Sequence, residues 1–103
     1  MLLSMQKLSA IKRGRPVGSR TFDPASAHAF GEAVREYRLL IGLSQEELGN
    51  RALVERSHMG KIERGEHLPN LVLILRLAQA MDMKPGVLVD RTVELLETPA
   101  SSV

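Results

Sequence analysis

The sequence predicts an all-α domain of five short helices behind a basic N-terminal arm. Three observations carry this. Apolar residues recur at spacings of three and four, which puts them on one side of a helix. Helix-starting residues (Asp23, Ser44, Asn70) alternate with helix-stopping glycines (Gly42, Gly65), leaving only short connections. Aromatic residues make up 3% of the chain, so aliphatic side chains must fill the core. That suits packed helices better than a sheet, which favours β-branched and aromatic residues.

The first helix is expected over residues 24–41, with Asp23 as N-cap and Pro24 at the first helical position. Ala27, Phe30, Val34, Tyr37 and Ile41 form its apolar stripe, and Gly42 stops it. Ser44-Gln45-Glu46-Glu47 is a capping box that opens a second helix over 45–52, with Leu48 and Ala52 inward. After a break at Leu53-Val54, a third helix over 55–64 turns Met59 and Ile62 inward and ends at Gly65. Asn70 caps a fourth helix, 71–81, whose run LVLILRLAQAM is apolar enough to demand burial of most of it. Pro85 starts a fifth helix that continues through Val89, Val93 and Leu96 to residue 97. The organisation is an arm (1–22), one helical domain (23–97) and a disordered tail (98–103). A domain of this size buries only about 60% of its unfolded surface, so its stability is modest unless a partner chain helps.

The net charge of +2 hides a division. Residues 1–22 hold Lys7, Lys12, Arg13, Arg15 and Arg20 and no acid, whereas the remaining 81 residues hold nine Lys/Arg against twelve Asp/Glu. Basic arms are drawn to nucleic acid or anionic membrane; the alternative is a solubilising tail. No stretch approaches the roughly 20 apolar residues that span a bilayer. Residues 1–11 are too broken for a secretory signal, although an acid-free basic arm keeps some transit-peptide character. With no cysteine there are no disulfides, thiolate metal sites or cysteine nucleophile. His28, His58 and His67 are scattered, no phosphate loop, nucleophile elbow or HExxH motif occurs, and the paired acids Glu46-Glu47 are explained by capping. No catalytic residue, metal or cofactor is expected.

Two short helices joined by a tight break allow one to brace across a DNA backbone while the other enters the major groove. The residues Leu43-Ser44-Gln45-Glu46-Glu47-Leu48, Arg51-Ala52, Val54, Ser57, Met59, Lys61-Ile62-Glu63-Arg64-Gly65, Pro69 and Leu77-Ala78 resemble the lambda repressor-like (xenobiotic response element, Cro-type) helix-turn-helix family from about Phe30 to Leu88. Two departures stand out. Leu53 occupies the turn position where the family usually has glycine, so it either bears about 1–2 kcal/mol of left-handed strain or adopts another turn. Gly49 replaces the family's usual alanine and weakens the second helix by up to ~1 kcal/mol.

Helical geometry puts Arg56, Ser57 and Lys61 on one side of the third helix, and the resemblance implies base-contacting side chains at the same three positions. Arg56 or Lys61 is suited to guanine O6 and N7 and Ser57 to a base or phosphate; His58 sits beside them and Gly60 allows close approach. The resemblance makes Gln45 a phosphate contact, helped by the positive helix end, and extends backbone contacts to Arg64 and His67, for which a plain surface role is the alternative. It also implies a structural ion pair between Glu63 and Arg38. In the arm, Lys12-Arg13-Gly14-Arg15-Pro16 resembles an AT-hook core. With Arg20 it is suited to a narrow A·T minor groove, the alternative being a solvated tail.

The expected function is a sequence-specific regulator of transcription, commonly a repressor, in the cytoplasm at the nucleoid. It would bind double-stranded DNA with a palindromic operator as a homodimer joined through Val89, Val93 and Leu96, whose alternative is packing back on the first helix. No membrane or small-molecule ligand is expected, and the length leaves no room for a sensing domain. Other readings are a restriction–modification controller, an antitoxin, or a protein-interaction module bridging a regulator to the transcription machinery.

Overall fold

A computed structural model of the chain describes residues 23–98. They form five helices: α1 (Pro24–Leu40), α2 (Gln45–Ala52), α3 (Arg56–Glu63), α4 (Leu71–Ala80) and α5 (Pro85–Glu97), with no strand among the described residues. The arm residues Lys12, Arg13, Arg15 and Arg20 lie outside the described residues, as does the tail beyond Thr98.

Local chemistry sets the helix starts. Asp23 accepts the Ala25 amide, Ser44 the Glu47 amide and Asn70 the Leu73 amide, so three of the five helices carry a side-chain cap. The ends of the first four helices share one closure. In each, a residue in the left-handed region follows the helix, and its amide and the next fold back onto the last turn. Gly42 and Gly65 do this at no steric cost; Leu53 (φ 61) and Asp82 (φ 55) adopt the same backbone with a side chain attached.

The core gathers Phe30 and Val34 of α1, Leu48 of α2, Met59 and Ile62 of α3, Leu77 of α4 and Leu88 of α5. α1 and α5 pack along one another, and α1 also lies against α3. The α1–α3 approach is backbone against backbone: a Cβ at Gly31 would overlap the Ile62 carbonyl oxygen.

Two packing expectations fail. Ile41 is exposed rather than part of the α1 stripe, because the chain has already left the helix at Leu40. α4 is not buried all round: Leu73, Leu77 and Ala78 face the core, while Leu71, Val72 and Leu75 face solvent. A ten-residue helix on the rim of so small a core has only one side to bury. The helix bounds differ from the sequence reading by one residue at the end of α1, at both ends of α3 and at the end of α4, where caps close the last turn.

Candidate nucleic-acid interface

α2 begins with both halves of the capping box: Ser44 Oγ accepts from the Glu47 amide at 3.0 Å and Glu47 Oε1 from the Ser44 amide at 2.8 Å. These bonds hold the Glu47 carboxyl below its usual range. At its other end, the Val54 amide donates to the Gly49 carbonyl at 2.7 Å and the Leu53 amide to Asn50 at 3.4 Å. Leu53 therefore takes the left-handed turn that the family usually gives to glycine, and does not adopt another. Its side chain is 77% exposed, so no burial offsets the strain. Gly49 has a positive reason: a Cβ there would sit 2.6 Å from the Val54 carbonyl oxygen and 3.1 Å from Met59 Cγ. The glycine that weakens α2 as a helix lets α3 close against it.

Beneath this turn, Arg38 and Glu63 form a buried pair, with Arg38 Nε donating to Glu63 Oε2 at 2.6 Å and Nη2 to Oε1 at 2.9 Å. Arg38 Nη1 donates to the Leu43 carbonyl at 2.8 Å, which ties the α1–α2 loop to the pair. Gln45 Nε2 donates to Glu63 Oε1 at 3.0 Å. The hydrogen bonds to Glu63 raise the Arg38 pKa, with Glu63's charge adding to them and burial opposing. No buried side-chain nitrogen or oxygen among the described residues lacks a partner. Gln45, at the positive end of α2, is thus held by the frame rather than free to rotate.

Arg56, Ser57 and Lys61 face outward from α3, all exposed and without a side-chain hydrogen bond or ion pair among the described residues. His58 is half-buried, its ring edge-on to His67 at 4.5 Å between centroids. Scattered in sequence, these two histidines meet in space. Burial first, then the charges of His58 and Lys61, pulls the His67 pKa down. Arg64 is exposed and grips Glu66 in a bidentate pair, Nε to Oε2 at 2.8 Å and Nη2 to Oε1 at 3.2 Å. The pair raises Arg64 and lowers Glu66. On α5, Val89, Val93 and Leu96 lie on the solvent side, while Leu88 and Arg91 turn toward α1, Arg91 bridging to Glu36 at 2.8 Å.

Sequence reasoning did not find the Gln45–Glu63 bond, the Arg64–Glu66 pair or the cleft that Arg76 of α4 lines together with His58 and His67. Only the Arg64–Glu66 pair left a local signal, an acid two residues after a base. Among the described residues no group of three or more His, Asp or Glu is placed to hold a metal, and no helix is long and apolar enough to cross a membrane.

A braced helix α2 and an adjoining helix α3 with an outward row of unengaged polar and cationic residues define a helix-turn-helix protein. The chain belongs to the helix-turn-helix domain family, whose model matches residues 29–92, a family of DNA-binding transcriptional regulators rather than enzymes. It is 41% identical over 51 residues to the HTH-type transcriptional regulator YgzD of Bacillus subtilis (strain 168), spanning 50% of this chain and 77% of that one. The restriction–modification controller C.AhdI of Aeromonas hydrophila superimposes with a TM-score of 0.61 at 44% identity, covering 62% of this chain and 97% of that one. The controller C.Esp1396I, solved as a tetramer with its natural 35 base-pair operator, shares the fold at 15% identity with a TM-score of 0.66, over 71% of this chain and 96% of that one.

Proposed function

We propose that the chain regulates transcription as a homodimer that reads a palindromic operator with α3 in the major groove. The observation that carries this reading is the outward row Arg56, Ser57 and Lys61 on a helix whose inner side is locked in place. Arg56 and Lys61 suit guanine O6 and N7, each good contact being worth about 1–3 kcal/mol of discrimination. His58 borders them. Gln45, Arg64 and His67 take phosphates and set register, while Lys12, Arg13, Arg15 and Arg20 of the arm follow the adjacent minor groove. The described body carries more acid than base, so it approaches DNA through these few placed groups, and the arm supplies general attraction.

Dimerisation uses the exposed α5 side bearing Val89, Val93 and Leu96, which spaces two copies of α3 for half-sites about 34–36 Å apart. Occupying a promoter in this way represses it, and the protein works in the cytoplasm at the nucleoid. The 44% identity to C.AhdI favours one narrower reading, a restriction–modification controller; it predicts methyltransferase and nuclease genes beside this one.

Selection of bound duplexes from a random pool tests the reading. A recovered palindrome whose binding is lost in Arg56→Ala and Lys61→Ala supports it. Equal affinity for every sequence sinks it in favour of an interaction module. Deleting residues 1–21 is expected to flatten the salt dependence of binding, because five basic groups no longer displace counterions.

A further inference from the structure

Successive residues of an α-helix turn by about 100°. His58 and Gly60 therefore lie on nearly opposite flanks of α3, with Ser57 and Lys61 facing outward between them. The Gly60 flank is the one already described: a Cβ there would come within 2.9 Å of Arg64 Nη1 and 3.8 Å of Gln45 Oε1. The His58 flank carries a second set of anion-seeking groups that no sequence motif marks. A cleft of about 470 Å³ opens there between α3, the following loop and α4. His58 and Lys61 line it from α3, His67 from the loop, and Arg76 from the middle of α4. Glu55, the N-cap of α3, is the one acid among its lining residues.

A helix in a major groove about 12 Å wide is bounded by a sugar-phosphate strand on each side. On the reading proposed above, Gln45 and Arg64 serve one of those strands, while His67, the third proposed phosphate contact, lies on the other flank against His58. Resting on the DNA-binding reading above, we infer that the His58–His67–Arg76 cleft seats a backbone phosphodiester of the second strand and takes up a proton as it does so.

The proton follows from the charges that face the pair. On the bare protein the two imidazoles stand edge-on at 4.5 Å, and Lys61 of α3 and Arg76 of α4 line the same cleft. Of the nearby acids, Glu55 lines the cleft one helical turn before His58, and Glu66 is committed to Arg64. At His67, burial first and then the neighbouring His58 and Lys61 oppose a proton. A phosphodiester brings one negative charge into the cleft and reverses the balance, so DNA favours the protonated form of His67. By linkage, affinity for DNA rises as pH falls through the histidine range. Arg76 contributes the pH-independent part of the grip.

The test measures fluorescence anisotropy of the full chain on two duplexes, one recovered by selection and one scrambled, from pH 8 to pH 6 and at several salt concentrations. Wild-type affinity is expected to rise about threefold to tenfold between pH 8 and pH 6 on both duplexes. In the His58→Gln/His67→Gln double variant that rise is lost. Arg76→Gln lowers affinity equally on both duplexes and reduces the log–log salt slope by about one, leaving sequence preference intact. A pH dependence that survives in the double variant overturns the inference, and so does a wild-type salt slope in Arg76→Gln. In the unaltered chain, NMR titration of the His67 ring gives a reading free of any folding defect. Its pKa is expected to rise on addition of the scrambled duplex, and an unchanged value overturns the proposal. Loss of discrimination between the two duplexes would instead sink the sequence-reading role, because the proton uptake and salt slope are read on either.

Discussion

Glu63 and Arg64 are consecutive residues that belong to two different regions of the molecule. Glu63 ends α3 on its inner side, its side chain 2% exposed and bonded to Arg38 and Gln45. Arg64 points outward, its side chain 60% exposed and paired with Glu66. Both are two-pronged arginine–carboxylate contacts, yet they do opposite work. A buried pair cannot lose one member without stranding the other in a poor solvent, so it fixes geometry. An exposed pair exchanges readily with water, salt or phosphate, so it holds charge in reserve. The inner side of the helix pair is a frame, and the outer side is a set of groups the frame presents.

The frame breaks hardest at its ion pair. Arg38→Ala or Glu63→Ala is expected to cost about 3–5 kcal/mol, because each strands a buried charge. For a domain this small that lowers Tm by at least about 12 °C in a thermal melt. Replacing both partners together, as in Arg38→Met/Glu63→Leu, is expected to cost much less than either single change, since no charge is left unpaired. An unchanged Tm in both single variants would mean the pair holds nothing together.

Gly49→Ala is the next largest. Helix propensity alone would reward alanine by about 1 kcal/mol. The added Cβ, however, would meet the Val54 carbonyl at 2.6 Å, and backbone cannot step aside as a side chain can. A net loss of about 1–3 kcal/mol is expected from overpacking. A gain in urea-unfolding stability would show that α2 and α3 are less closely seated than the distances imply.

What the sequence made legible follows the same division. The caps at Asp23, Ser44 and Asn70 and the stops at Gly42 and Gly65 act within a few residues, so they were readable as local chemistry. The joining of Arg38 to Glu63 was implied only by family resemblance, since no local pattern links residues so far apart. Gly49 looked like a defect because helix propensity is a one-helix quantity, and the reason for it lies in the turn at Val54 and at Met59 on α3. α4 looked buried because periodicity counts apolar residues without knowing how many neighbours exist to cover them. The meeting of His58 and His67, and the cleft they share with Arg76, depend on how the loop returns to α4, which nothing in their spacing encodes.

Leu53→Gly acts at the hinge between the two regions and has the opposite sign. The left-handed backbone costs leucine about 1–2 kcal/mol, and glycine returns part of that gain through the greater freedom of the unfolded chain. With the side chain 77% exposed, no core contact is lost. A net stabilisation of about 0.5–1 kcal/mol is expected, a rise of a few degrees in Tm. Leu53 also lines the cleft beside Ser57 and His58. Duplex titration therefore belongs with the melt: a more stable variant that binds DNA less well would mean the strain is maintained for the interface.

The outer pair gives the smallest effect and the sharpest contrast. Glu66→Gln is expected to leave Tm unchanged, because both members of its pair are exposed. It is expected to tighten binding about two- to fivefold on selected and scrambled duplexes alike, since Arg64 no longer has to leave a carboxylate to meet a phosphate, and that carboxylate no longer repels the strand. Arg64 holds Glu66 below the ordinary carboxylate range, so the wild-type pair stays charged well below neutral pH. The ratio between variant and wild type is therefore expected to stay constant from pH 8 to pH 6, the interval in which the histidine-linked change develops. A ratio that drifts across that interval would mean that Glu66 and the histidines are one coupled unit rather than neighbours on opposite flanks of α3.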